Sequence, residues 1–350
     1  MPRLRPGVGC ALGAAALFGA STPFAKLMLG EVSPLMLAGI LYLGSGIGLA
    51  LWLVVRGRLY PDERSSAIAR ADLPWLTAAI LAGGVAGPIL LMQGLARSDA
   101  ASASLLLNLE AVLTAAIAWT VFRENVDRRV FAGMAAIVAG GVVLSAGAVP
   151  GVEGLLGAGL ISAACVAWAI DNNVTRRISG GDAATLACVK GVAAGTVNLA
   201  LALAAGAALP SAQAALWAGL LGFVGYGVSL ALFVVALRHL GTARTGAYFS
   251  VAPFVGAALA LGLLGERPAP AFWVAAALMA LGVWLHLTER HVHEHAHETL
   301  EHEHEHVHDV HHRHAHAGSI GSEPHVHVHR HEPMVHAHPH YPDLHHRHPH

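Results

Sequence analysis

The chain has 350 residues, of which 55% are hydrophobic and 12% charged, with a formal net charge of −1. A soluble domain usually carries about twice that charged fraction. The balance excludes a soluble globular protein, and the absence of any basic surplus or patch argues against a nucleic-acid partner.

Residues 8–287 read as a near-continuous string of apolar segments. About 20 apolar residues cross roughly 30 Å of hydrocarbon. The breaks predict ten spans, at 8–28, 33–55, 73–96, 99–122, 129–148, 153–174, 183–207, 211–237, 242–264 and 268–287. Turn residues and charges mark the breaks, as in RGRLYPDERSS at 56–66 and GERPAP at 265–270. The connections are short, so neighbouring helices run antiparallel. The first segment is too long for the apolar core of a signal peptide and leads straight into another span. Cys10, Cys165 and Cys188 lie inside apolar segments without CxxC spacing and read as small buried apolar residues.

Basic residues set the orientation. With a cytoplasmic N-terminus, the inner loops hold Arg56, Arg58, Arg64, Arg70, Arg123, Arg128, Arg129, Arg176, Arg177, Arg238 and Arg244. The outer loops hold Lys26, Arg97 and Arg267. This is the positive-inside pattern, and ten spans return the C-terminus to the cytoplasm. The expected location is the inner (plasma) membrane.

The fourth segment recurs. Residues 99–122 and 242–264 share a layout in which Glu124 meets Glu266 and, in the next helix, Gly140 meets Gly282. FGASTPFAK at 18–26 likewise matches WAIDNNVTR at 168–176, with an aromatic start and a basic end. Five spans per copy invert the second copy, which in transporters places a site at the midplane between the halves. The expected fold is therefore an all-α integral membrane bundle of ten transmembrane helices in two inverted five-helix repeats, residues 1–148 and 149–288. A His-rich cytoplasmic tail, 289–350, follows and is expected to be disordered.

Ten spans in two halves, with a Glu closing the fourth and ninth ahead of Gly-rich fifth and tenth spans, resemble the EamA family of the drug/metabolite transporter superfamily. The marks are FGASTPFAK, RENVDRRVFAGMAAIVAGGVVL at 123–144 and GERPAPAFWVAAALMALGVWL at 265–285. The resemblance covers about residues 8–287. It implies a carrier of small metabolites, often an exporter, working by alternating access without ATP, and no Walker-type phosphate loop is present. The His-rich tail is outside the common family pattern.

Glu110 is the sharpest candidate for chemistry. It sits about half-way across its span, where an unpaired charge costs at least about 2.5 kcal/mol. It is expected to bind and release a proton or to hold a cationic group of the solute. Lys190, in the seventh span, either snorkels to the cytoplasm or faces the cavity, pairing with Glu110 or a substrate carboxylate. Asp171, Asn172 and Asn173 crowd the inner end of the sixth span; one or two of them, Asp171 and Asn172, are expected on the substrate or proton path, and the alternative is a polar rim at the inner mouth. Gln93, Asn108, Tyr226 and Tyr248 offer hydrogen bonds in a mostly apolar site. Trp119 and Trp168, near span ends, read as interfacial anchors. Lys26 reads as a headgroup anchor. Glu124 and Glu266 read as structural contacts rather than substrate ligands.

The tail holds all but two of the 25 histidines. His291, His293, His295, His297, His302, His304, His306, His308, His311, His312, His314 and His316 recur in HxH patterns. Neutral imidazole suits zinc, nickel, cobalt or copper, so loose binding of several metal ions is expected above the histidine pKa. The lead expectation is a secondary transporter, probable exporter by resemblance, of a small polar or amphipathic metabolite, with proton coupling and a metal-binding tail. The alternatives are a divalent-metal transporter and a membrane-anchored metal sensor or buffer. No enzyme is expected, because no paired acid–base or nucleophile constellation appears. No cofactor is required. The partners are lipid, a small-molecule substrate and metal ions, with room for a homodimer.

Overall fold

The computed structural model describes residues 6–59, 70–122, 128–146, 152–178, 182–288, 292–297, 300–306, 325–331 and 334–339. They form two units, Met1–Glu289 and Arg290–His350. The first unit is helical. Among its described residues nine helices are long and apolar enough to cross a membrane, and the apolar helix Pro270–His286 is shorter. It is a multi-pass membrane protein.

Helix α1 spans Pro6–Met28 and α2 spans Pro34–Leu59. The third apolar stretch is divided into α3 (Leu73–Ala79), a π-helical segment (Ile80–Ala86) and α4 (Gly87–Ala96). The fourth is broken at Leu107–Asn108 into α5 (Ala100–Leu106) and α6 (Leu109–Phe122). Helices α7 (Arg128–Ala146), α8 (Val152–Ile178) and α9 (Ala183–Ala204) follow. Next come α10 (Ala212–Gly222), a second π-helical segment (Phe223–Val228) and α11 (Ser229–Phe249). After a break at Ser250–Val251 come α12 (Ala252–Leu263) and α13 (Pro270–Leu287). Each π segment precedes a helix break at the same sequence spacing.

Helical hydrogen bonding continues through 238–241, where the sequence predicts a connection. The rings of Phe233 and Phe249 nevertheless lie 4.9 Å apart. A straight helix over that stretch would separate them by roughly 24 Å. The chain therefore reverses within α11. The reversal also explains how Gly7 faces His239 and Leu240 while Gly19, further along α1, faces Ala252.

Small residues set the helix spacing, as expected where lipid gives no burial drive between helices. A Cβ on Gly140 of α7 would lie 2.8 Å from Met279 Cγ and 3.0 Å from the Ala275 carbonyl on α13. One on Gly282 would lie 2.6 Å from the Gly133 carbonyl and 2.6 Å from Ile137 Cγ1. In the alignment that puts Gly140 on Gly282, Gly133 falls on Ala275 and Ile137 on Met279, so the contact is reciprocal. Helices α2 and α9 are equally close, since a Cβ on Gly195 would fall 2.6 Å from Leu43 Cα. Gly195→Val is expected to cost about 1–3 kcal/mol by overpacking. Thermal melting in detergent checks this, with Gly219→Ala as the control, since Gly219 has open space around it.

At one end of the bundle Asp182 caps α9 by accepting from the Thr185 N–H, and it accepts from Arg56 of α2 at 3.0 Å. Burial pushes the Asp182 carboxyl up, but the hydrogen bonds from Arg56 and Thr185 outweigh this and hold it below the usual carboxylate range. A depressed carboxylate stabilises the fold above its unfolded pKa of about 3.9, and the contribution is lost as pH falls through the folded value. Melting scans should therefore show wild type losing stability below about pH 4, while Asp182→Asn starts lower and varies less with pH.

The described parts of the tail differ from the expected disordered chain. Strand β1 (Val292–His297) pairs antiparallel with β4 (Met334–Pro339), and β2 (Leu300–His306) with β3 (His325–His331). The two-residue alternation of HEHEH and HVHVH is a strand period, which accounts for the pairing.

Candidate functional site

Both π segments and the second helix break meet one aromatic cluster. Phe18 of α1 meets Trp168 of α8 edge-on at 5.8 Å and Tyr226 of the second π segment at 5.6 Å. Phe249, beside the second break, lies 5.5 Å from Phe18, and Tyr42 of α2 lies 5.5 Å from Tyr226. Tyr42 Oη and Trp168 Nε1 both donate to the Gly83 carbonyl in the first π segment, at 2.8 and 2.9 Å. A π turn widens the helix and is often found at functional positions, and here its carbonyl serves as a two-donor acceptor. The Tyr226 hydroxyl is buried next to Ser21 and, among the described residues, makes no hydrogen bond of good geometry.

The ionisable groups lie beside this cluster on α6, α8 and α9. Glu110 begins the first turn of α6, just past the Leu107–Asn108 break, and accepts from Asn172 Nδ2 at 2.8 Å. Lys190 is 2% exposed and donates to Asp171 at 2.6 and 2.8 Å. Thr175 donates to the same carboxylate at 2.8 Å and accepts from Lys190 at 3.2 Å. The cluster presses on the first π segment, because a Cβ on Gly83 would collide with the Asp171 carboxylate. In the aligned second half Gly225 meets Ser21 in the same way. The corresponding place there is a hydroxyl, so the charges belong to one half of the site.

The sequence-predicted residues are distributed as follows. Glu110 and Asn172 come together. Lys190 neither snorkels nor pairs with Glu110; its partner is Asp171. Asp171 and Asn173 are buried and Asn172 is half-buried; Asp171 joins Lys190 and Thr175, Asn172 joins Glu110, and Asn173 donates to the carbonyls of Ala169 and Thr114. Gln93 is apart from them, accepting from Arg97 at 2.8 Å. Asn108 stabilises the helix break by donating to the Leu105 carbonyl, leaving its Oδ1 unpartnered. Tyr226 is in the cluster, whereas Tyr248 packs against Ala11, Ala236 and Leu240. Trp168 is a buried cluster member, not an interfacial anchor, while Trp119 is exposed. Glu266 accepts from the N–H groups of Ala100 and Ala101, both at 2.8 Å, a structural contact. Lys26 donates to the carbonyls of Leu95 and Ser98, both at 2.7 Å, rather than only anchoring to headgroups. Gly140 and Gly282 lie in the α7–α13 contact. Glu124, His291, His308, His311, His312, His314 and His316 fall outside the described residues. His293, His295, His297, His302, His304 and His306 lie on β1 and β2.

Phe18, Tyr42, Phe249, Thr114 and Thr175 escaped the sequence reading. A signal for Phe18 was present, since it opens FGASTPFAK at the place where Trp168 opens WAIDNNVTR.

The model of the EamA-like transporter family matches residues 5–146 and again residues 155–288. The chain belongs to this family. An uncharacterized transporter of Methanothermobacter thermautotrophicus is 27% identical to this EamA-family protein over 173 residues, 46% of this chain and 50% of the relative. The match thus spans about half of the archaeal protein. A Pseudomonas paraeruginosa protein named as a probable 4-amino-4-deoxy-L-arabinose-phosphoundecaprenol flippase subunit ArnE is 38% identical over 110 residues, 31% of this chain and 93% of that one. Its Pseudomonas aeruginosa counterpart is equally similar. A protein of known crystal structure shares the fold at 20% identity, with a TM-score of 0.61 over 81% of this chain and 98% of the other. The site described above therefore sits in a membrane transporter.

Proposed function

We propose that this EamA-family protein is a secondary carrier, working as an exporter, of a small polar or amphipathic metabolite coupled to protons. Its ten spans act as two inverted five-helix halves, 1–148 and 149–288, with both termini in the cytoplasm of a cell whose inner membrane holds it. The reciprocal α7–α13 contact and the matched π segments and breaks support that arrangement. The observation carrying the function is the state of Glu110. Lys190 is matched by Asp171, whereas Glu110 has an amide partner and, among the described residues, no cation beside it. A carboxylate at that depth needs a proton or a cationic group to offset its charge. The aromatic cluster supplies the apolar and π surface for the body of the solute, and Tyr226 supplies an unused hydroxyl.

The tail favours a second reading, in which zinc, nickel, cobalt or copper is collected at the cytoplasmic mouth. Proteoliposome flux of zinc, nickel, cobalt and a panel of amino acids, by full-length protein and protein ending at Arg290, separates the two. Organic flux in both forms without metal flux supports the metabolite carrier. Metal flux surviving truncation makes the spans themselves a metal path and overturns it.

A further inference from the structure

Helix α5 is short, and its first five residues, Ala100 to Ser104, are alanine or serine. Its Ala100, Ala101, Ala103, Ser104, Leu105 and Leu106 are all buried. It packs between α1 and α12, where a Cβ on Gly256 would lie 2.7 Å from Ser104 Oγ and 2.8 Å from the Gly19 carbonyl. Among the described residues Ser104 Oγ has no hydrogen-bond partner, so no side-chain hydrogen bond ties the middle of α5 to them. At its inner end the Leu107–Asn108 break interrupts the α-helical hydrogen bonding between α5 and α6, with Asn108 N–H and Nδ2 donating back to the Leu105 carbonyl. At its outer end two charged groups from other elements hold it. Lys26, from the end of α1, donates to the carbonyls of Leu95 and Ser98 that lead into the turn. Glu266, from the 264–269 connection, accepts from the first two amides of α5. A carboxylate at this helix terminus is also favoured by the aligned peptide dipoles. The grip joins the two halves, since Lys26 belongs to one and Glu266 to the other.

We propose that Lys26 and Glu266 are gate residues: on the outer face the two hydrogen bonds of Glu266 hold the start of α5 and the two of Lys26 hold the α4 end and turn that lead into it, and releasing them lets α5 swing outward to open the site to that side. Both act through α5, so they are positioning residues and need not touch solute. The inference rests on the alternating-access reading and on its orientation. Hydrogen bonds to charged groups are individually strong enough that losing one pair shifts a closed–open balance by about tenfold.

The test places a single cysteine by Ser104→Cys in full-length protein with Cys10, Cys165 and Cys188 replaced by alanine. A membrane-impermeant maleimide is added to intact cells and, separately, to inside-out vesicles, with melting of every variant recorded. Glu266→Gln and Lys26→Met should each raise the labelling rate from outside by about tenfold and leave the inside rate unchanged, while Lys26→Arg stays near the parent. A capping residue with a merely structural role would, when lost, loosen the bundle on both sides. An equal rise on both faces, or no rise in folded variants, would overturn the lock. A rise confined to the inside would overturn the orientation. The labelling needs no solute, so failure of the transport reading would show separately, as absence of any flux in proteoliposomes.

Discussion

Glu110→Gln is expected to give a folded carrier whose solute flux no longer responds to pH. Glutamine keeps the volume of the side chain and an oxygen that can still accept from Asn172 Nδ2, now 2.8 Å away. What it lacks is the ability to take and release a proton. Proton-driven flux should fall by at least tenfold, about 1.4 kcal/mol in rate terms, whereas solute–solute exchange without a gradient should persist. The measurement is uptake into proteoliposomes with and without an imposed pH gradient, using whichever organic solute the panel identifies. Unchanged gradient dependence would remove Glu110 from the coupling step. Loss of exchange as well would make it a solute ligand rather than a proton carrier.

The second large effect concerns the Lys190–Asp171 pair. Lys190→Met leaves the Asp171 carboxylate buried, 8% exposed, against Gly83 with Thr175 as its remaining donor. Removing one member of a buried ion pair costs about 3–5 kcal/mol, most of it the isolation of the remaining charge. Replacing both, by Asp171→Leu with Lys190→Met, should recover most of that loss. A double-mutant cycle on melting in detergent reads the coupling directly. If the double variant lost as much stability as the two single variants added together, the pair would contribute no more than its separate members. The double variant also asks whether the pair serves transport: recovered stability without recovered flux would place it in the working site.

The family, the spans and Glu110 were legible because composition and hydrophobic run length carry them. The interruptions were not. LLLNLEAVL shows no Pro or Gly at the Leu107–Asn108 break, and the only mark is Asn108, whose side chain turns back on the Leu105 carbonyl. The π segments are equally silent, since an extra backbone residue per turn leaves no composition behind. Trp168 was misjudged through a boundary. With the sixth span ended at 174 it sits near the interface, but α8 continues to Ile178, which moves it about one turn deeper, into the cluster. The same extension buries Asp171. Lys190 could not be paired from sequence, because its partner lies on a different helix and two carboxylates were available. Glu266 was legible as a repeated contact, yet the amides it holds lie far back in the chain.

The pairing of α1 has a consequence for how the protein is made. Besides the Lys26 bonds to the Leu95 and Ser98 carbonyls, it accepts from the Ser229 hydroxyl at the Ala14 carbonyl, across 215 residues of chain. At a synthesis rate of about 5–20 residues per second, α1 waits roughly ten to forty seconds in the bilayer before that partner emerges. During that interval its glycines face lipid or whatever assists insertion. Helix α1 thus completes its packing only when the second half arrives.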